Sequence, residues 1–170
     1  MNENAATIDQ DLIKLPEKEG KYLTFALSDE EYGIGILKIK EIIGMMPITT
    51  IPQTPPFLKG IINLRGKVIP VIDLRLRFDM DSIEYNERTC IIVVEIDAES
   101  GIIQLGIVVD SVCEVLNILS EDIEEPPKFG TKLSTEYISG VAKMEGAVKI
   151  LLNIEKILNE EEINSLDEVA

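Results

Sequence analysis

The sequence predicts an all-β protein of two small, similar antiparallel barrels packed on each other, with a short helix at the C-terminal end. Three observations carry this. Short Val- and Ile-rich runs alternate with period two, and Gly- or Asp-bearing turns separate them at hairpin spacing. No long helical pattern falls between those runs, so the crossover helices of a parallel α/β sheet are missing. The third is an internal duplication, which implies a second barrel like the first.

Taken in order, Tyr22, Thr24 and Ala26 alternate with Leu23, Phe25 and Leu27 on the two faces of a first strand. It ends at the polar turn Ser28-Asp29-Glu30-Glu31, and a second strand starts near Tyr32. The runs 61–64 and 67–73 flank Arg65-Gly66, a tight hairpin in which glycine supplies φ > 0. Runs 90–96 and 102–112 flank a turn at 97–101, and runs 141–144 and 147–152 flank Glu145-Gly146. Residues 116–135, with Pro126-Pro127 and Gly130, read as a long acidic connection. Asn153 is placed as the N-cap of a helix on which Ile154, Ile157 and Leu158 follow helical spacing, with Ile163 and Leu166 continuing it.

Shifted by 80 residues, FLKGIINLRGKVIPVIDLRLRF lies over YISGVAKMEGAVKILLNIEKIL without a gap. Gly60 meets Gly140, Gly66 meets Gly146, Val68 meets Val148, and Phe57 meets Tyr137. Shifted by 73, YGIGILKIKEII lies over LGIVVDSVCEVL, so Gly33 meets Gly106 and Glu41 meets Glu114. The difference between the two offsets fits a longer loop in the second half. Barrels of roughly 65–70 residues are marginal alone, so these should pack together or exchange strands, leaving a groove between them.

Composition narrows the function. The 170 residues hold 31 Asp+Glu, 16 Lys+Arg and no histidine, for a net charge of −15. Phosphate recognition needs a basic footprint, so nucleic-acid binding and electrostatic docking on anionic membranes are disfavoured. Without histidine there is no Ser-His or Cys-His nucleophile pair, no His-ligated metal and no phospho-accepting histidine. The acid excess lies unevenly, with −3 in residues 1–20 and −5 in 159–170. Cys90 and Cys113 form no C-x-x-C and sit in apolar runs, so they read as two buried, reduced thiols. Residues 1–20 hold no signal-type apolar stretch, and no run approaches a membrane span, so a soluble intracellular protein is expected.

Several motifs fail as chemistry. Gly33-x-Gly35 lacks the third glycine and following helix of a dinucleotide loop. Asp79-x-Asp81 opens like a calcium loop, but Glu84 stands where that loop needs glycine. Glu121, Asp122, Glu124 and Glu125 have no ligand spacing and read as a solvated acidic loop. No cofactor or metal is expected. The bases Arg65, Lys67, Arg75 and Arg77 stand out against the acidic background; Lys67, Arg75 and Arg77 fit the wet sides of a strand and turn, whereas Arg65 projects from a hairpin tip. The stripes Ile34, Ile36, Ile39, Ile42, Ile43 and Val108, Val109, Val112, Val115 exceed what one small barrel can bury, so part of each should be exposed as a binding surface.

GIINLRGKVIPVIDL at 60–74 closely resembles the signature of the chemotaxis coupling protein family, CheW. So do DEEYGIGILKIKEI, GIVVDSVCEVL, LSTEYISG and LLNIEKIL, in one unbroken order across about 20–160. The resemblance implies a non-enzymatic adaptor of two SH3-like five-stranded barrels, joining the cytoplasmic tips of methyl-accepting chemotaxis receptors to the regulatory domain of the histidine kinase CheA. It implies a cytoplasmic protein recruited to receptor arrays at the inner face of the membrane. The chain is too short for CheA itself or for a fusion with a receiver domain. Its implied divisions are a flexible acidic tail at 1–19, barrels at about 20–88 and 89–158 whose strands are open to exchange, and an acidic tail or helix end at 159–170. The family's receptor-binding positions fall on Ile39, Glu41, Gly60, Arg65, Val68, Cys90, Val115 and Gly140; Cys90 stands where valine is expected. The kinase-contacting residues are not assigned. The competing reading is a small-ligand-binding barrel or carboxylate-dependent enzyme in the inter-barrel cleft, for which Glu41 and Glu114 are the symmetric acids.

Overall fold

In the computed structural model, which describes residues 19–125 and 137–169, the alternating runs form eleven strands. In chain order these are β1 Gly20–Leu27, β2 Glu30–Gly35, β3 Ile39–Gly44, β4 Leu58–Leu64, β5 Lys67–Asp73 and β6 Cys90–Ala98. They continue with β7 Gly101–Val109, β8 Ser111–Ile118, β9 Ile123–Glu124, β10 Ile138–Met144 and β11 Ala147–Leu152. Helix α1 spans Leu74–Arg77 and α2 spans Glu160–Val169. One sheet runs β8-β1-β2-β11-β10-β9 and the other β3-β6-β7-β5-β4.

The duplication is visible in the ladders. Each sheet is antiparallel except for one parallel junction, Leu151 beside Gly33 (β11–β2) in one and Val71 beside Gly106 (β5–β7) in the other. Those two pairs correspond under the 80- and 73-residue shifts. The wholly antiparallel expectation is corrected at these two places. The hairpin β4–β5 matches β10–β11, and β9 beside β10 is matched by an isolated bridge from Thr49 to Ile61 on β4. The result is two SH3-like barrels, each of five main strands plus a short sixth pairing. Sheet membership does not follow a cut at residue 88. Each sheet takes the first hairpin of one half and the last three main strands of the other.

Three apolar clusters hold this together. Ile62, Ile69, Val71, Ile91, Val93 and Val108 fill one barrel, and Tyr22, Ile118, Ala142 and Leu151 fill the other. The largest cluster, with Phe25, Leu27, Ile34, Ile72, Ile92, Leu105, Ile107 and Ile157, draws on both sheets and forms the seam. Burying this much aliphatic surface between barrels supplies the stability that each small barrel lacks.

Four expectations are corrected. The run 102–112 is broken at Asp110, whose carboxylate takes the Ser28 amide at 2.7 Å and Arg75 instead of continuing the strand. The turn of the 90s hairpin is tighter than 97–101, since Ala98 already pairs with Gly101. Asn153 caps only a 3-10 turn, Ile154–Lys156; Ile157 and Leu158 are spaced for the seam. Helix α2 starts one cap later, where the Asn159 carbonyl oxygen of the side chain accepts from the Glu162 amide at 2.7 Å and Glu162 returns the bond at 2.9 Å. The start of the acidic connection continues as β8 and β9, while 126–136, the tail at 1–18 and the Leu166 side chain lie outside the described residues.

Candidate partner-binding surface

The β4–β5 turn has two central residues in the left-handed region, Arg65 at φ +53° and Gly66 at φ +86°, the signature of a type I′ turn. The sequence reading assigned positive φ to glycine alone. Asn63 Oδ1 holds the turn by accepting from the Gly66 amide at 2.8 Å. This conformation points the Arg65 side chain into solvent and back across to β3, where its guanidinium donates to the Glu41 carboxylate. Glu41 therefore orients Arg65, and the bond holds the guanidinium above its already high ordinary pKa. The pair is exposed, so its worth lies in geometry more than stability.

The other candidates on the same sheet, β3-β6-β7-β5-β4, are Ile39, Gly60, Val68 and Cys90. Ile39 opens β3 after the 3-10 turn Ile36–Lys38 and is half-buried against the seam. Cys90 opens β6 opposite Gly44, also packed on the seam, with its thiol donating to the Arg88 carbonyl at 3.3 Å. Val68 follows the Arg65 turn and stands opposite Asn63. Val115, on β8 opposite Leu23, and Gly140, on β10, belong to the other sheet. The eight candidates are thus six on one barrel and two on the other, and direct side-chain bonding joins Arg65 to Glu41.

Four of the exposed large apolar side chains follow the duplication. Val68 and Val148 are 40% and 50% exposed, and Ile42 and Val115 are 43% and 51% exposed. These are repeat counterparts at shifts of 80 and 73. Ile42 and Val148 were within reach of the sequence, because the duplication maps them onto Val115 and Val68. Leu37, 92% exposed, was not signalled by any pattern. The hairpin tips differ in charge: Glu145 and Gly146 at φ +47° and +77° repeat the Arg65-Gly66 turn with an acid in place of the base.

Gly60 and Gly140 touch neighbouring backbone, not solvent. Each sits at a β-bulge, between Leu58 and Gly60 in one hairpin and between Ile138 and Gly140 in the other. A Cβ on Gly60 would lie 2.0 Å from the Thr49 carbonyl oxygen, and one on Gly140 would lie 3.2 Å from that of Glu124. Both glycines admit the short sixth pairing of their barrel.

Two of the bases expected to face water do not. Arg75 makes a bidentate pair with Asp110, both bonds 2.7 Å, and donates to the Asp81 carbonyl at 3.1 Å. Arg77 lies against Phe57 and Tyr137 and pairs with Glu162. The local pattern of alternating bases carried no sign of these partners, which come from 35 and 85 residues away. Cys113 is corrected from buried to exposed, on the outer face of β8. Partial burial of its sulfur and the neighbouring Glu114 push the thiol pKa up against a hydrogen bond with Thr24.

Glu41 and Glu114 stand in different sheets, the first engaged by Arg65 and the second bonded through its backbone to Thr24. A cleft of about 620 Å³ does open beside β1, the 36–38 turn and Asn153, but neither acid lines it. No helix among the described residues is long and apolar enough to cross a membrane.

Fold and surface together define a class: paired SH3-like barrels carrying an exposed apolar pair and a charged hairpin tip on each. The profile of the CheW-like domain matches residues 21–162. The chemotaxis protein CheW of Klebsiella aerogenes is 43% identical over 150 residues, covering 88% of each chain, and that of Treponema pallidum is 32% identical over 152, again covering 88% of each. The crystal structure of the scaffolding protein TtCheW from Thermoanaerobacter tengcongensis superposes with a TM-score of 0.75 at 38% identity, covering 85% of this chain and 97% of that one. The chain belongs to the CheW family.

Proposed function

We propose that this protein is a non-enzymatic chemotaxis adaptor that joins the cytoplasmic tips of chemoreceptors to the regulatory domain of CheA. Family membership supports the scaffold role, and the oriented Arg65–Glu41 pair beside exposed Val68 supports the receptor contact. Receptor tips are helical hairpins, so the contact is a helix laid along an apolar groove, with Ile39 and Val115 as apolar contacts and Arg65 as polar anchor. Glu41 presets the Arg65 side chain, which lowers the ordering cost of binding. Gly60 and Gly140 act by shaping the barrels. The kinase domain contacts the outer ends, and pseudo-symmetric barrels meeting head to tail can close into rings. Coupling follows because a receptor shift then changes the population of active kinase. The protein would work in the cytoplasm, at receptor arrays.

The test is receptor pull-down with a cytoplasmic receptor fragment and CheA, with a kinase-activity readout. Arg65→His and Val115→Met should weaken receptor capture while their circular-dichroism melts stay within a few degrees of the parent. Undiminished capture, or variants that unfold, would overturn the site.

A further inference from the structure

Arg77 occupies a singular place in the duplicated fold. Under the 80-residue shift it maps onto Ile157, and Phe57 maps onto Tyr137. The Arg77 guanidinium touches all three: it lies 4.9 Å from the Phe57 ring centroid, 5.1 Å from that of Tyr137, and donates to the Ile157 carbonyl at 2.7 Å. A residue in contact with its own repeat counterpart lies close to the axis relating the two halves. Phe57 and Tyr137 are held identically, their carbonyls accepting from Asp73 and Asn153 at 2.8 Å each, so each ring is fixed to its own hairpin. Phe57 leads into the β4–β5 hairpin of one sheet and Tyr137 into the β10–β11 hairpin of the other. The guanidinium also bonds Glu162 at 3.2 Å, which ties down helix α2, and Ile163 of that helix is buried in the seam.

We infer that Arg77 is a positioning residue that sets the angle between the barrels and thereby aligns the two parts of the partner surface. The apolar seam supplies most of the adhesion, but apolar contact is non-directional and tolerates sliding. A guanidinium held over one ring from each barrel, and bonded directionally to the Ile157 carbonyl and Glu162, is tied to both halves at once. The proposed receptor contacts are divided in the same way, with Ile39 and Arg65 on one barrel and Val115 on the other. Their spacing therefore depends on the inter-barrel angle. The consequence for receptor binding rests on the function proposed above; the positioning role does not.

The experiment attaches spin labels to cysteines introduced at Lys67 and Ala147, exposed repeat counterparts that open β5 and β11, in a Cys90→Val, Cys113→Ser background. Arg77→Ala should widen the label–label distance distribution about twofold and speed amide exchange in α2 on the order of tenfold. Amides of the barrel interiors, Ile62 and Ile69 in one and Leu151 in the other, should keep their protection. Arg77→Lys retains the charge but loses the guanidinium's fork of fixed donors and should give an intermediate width. A distribution as narrow as the parent's in both variants overturns the inference, and so does equal loss of protection in the barrel interiors. If Arg77→Ala does not fold, Arg77→Lys decides alone: widening supports the inference and parental width overturns it. Receptor-fragment capture is measured alongside on unlabelled protein that keeps Cys90, Cys113, Lys67 and Ala147, with and without the Arg77 substitutions. If the widening occurs but the parent captures no receptor, the functional reading fails and the positioning role stands.

Discussion

At position 60 an added methyl group would meet the Thr49 carbonyl oxygen at 2.0 Å and would also force an L-residue to φ +145°. The obstacle is backbone and cannot swing away. At position 140 the nearest obstacle is the Ile123 side chain at 2.8 Å, which can shift. Gly60→Ala should therefore cost about 3 kcal/mol and Gly140→Ala clearly less, read from urea unfolding midpoints. Equal costs would contradict the assignment of the clash. Any loss of receptor binding by these variants should track their loss of stability, because neither glycine offers a side chain to a partner. The pairing of the two glycines was legible in the duplication. The carbonyl oxygen that makes Gly60 obligatory was not, because Thr49 lies outside any strand and reaches β4 through a single bridge.

Among the elements, the interruption at Asp110 ends β7 and begins β8. Desolvation alone would raise the Asp110 carboxyl pKa, but the Arg75 guanidinium and the Ser28 amide outweigh it and hold the group below the ordinary carboxylate range. A lowered folded-state pKa means that the unfolded chain binds the proton first as pH falls. The pair's stabilisation is thus fully present above about pH 5, where the unfolded carboxylate is ionised, and is lost as pH drops through the depressed folded pKa. Asp110→Asn should lower stability at neutral pH by about 2 kcal/mol and flatten the acid limb of the stability–pH profile. An unchanged acid limb would place the dependence elsewhere. The Ile- and Val-rich run over 102–112 read as one strand, since the local sequence shows Asp110 but not the arginine that requires it.

For the whole molecule, the exchange of first hairpins makes each barrel depend on both halves of the chain. Fragments 19–88 and 89–170 expressed alone should lack dispersed amide signals in NMR spectra, and mixing them should restore the native pattern. A well-dispersed spectrum from either fragment would show a barrel that closes without the other half. The seam cluster argues for interdependence, since it is the largest of the three and includes both Phe25 from one sheet and Ile107 from the other. Small barrels gain from this arrangement, because shared burial raises the fraction of apolar surface withdrawn from water.

The amino-acid sequence by itself determined the strand-forming runs, the hairpin turns and the duplication, because period-two alternation and left-handed turn residues are local properties. It also placed Arg65 at a hairpin tip and located the 80-residue spacing that relates Val68 to Val148. The tertiary structure decided which hairpin closes which barrel, that Glu41 orients Arg65, and that Arg75 and Arg77 are held in ion pairs, Arg77 also over two aromatic rings. Those outcomes turn on partners between 24 and 85 residues distant. Contacts at such separations are selected by the burial of the seam, to which the whole chain contributes, and no short window of sequence encodes them.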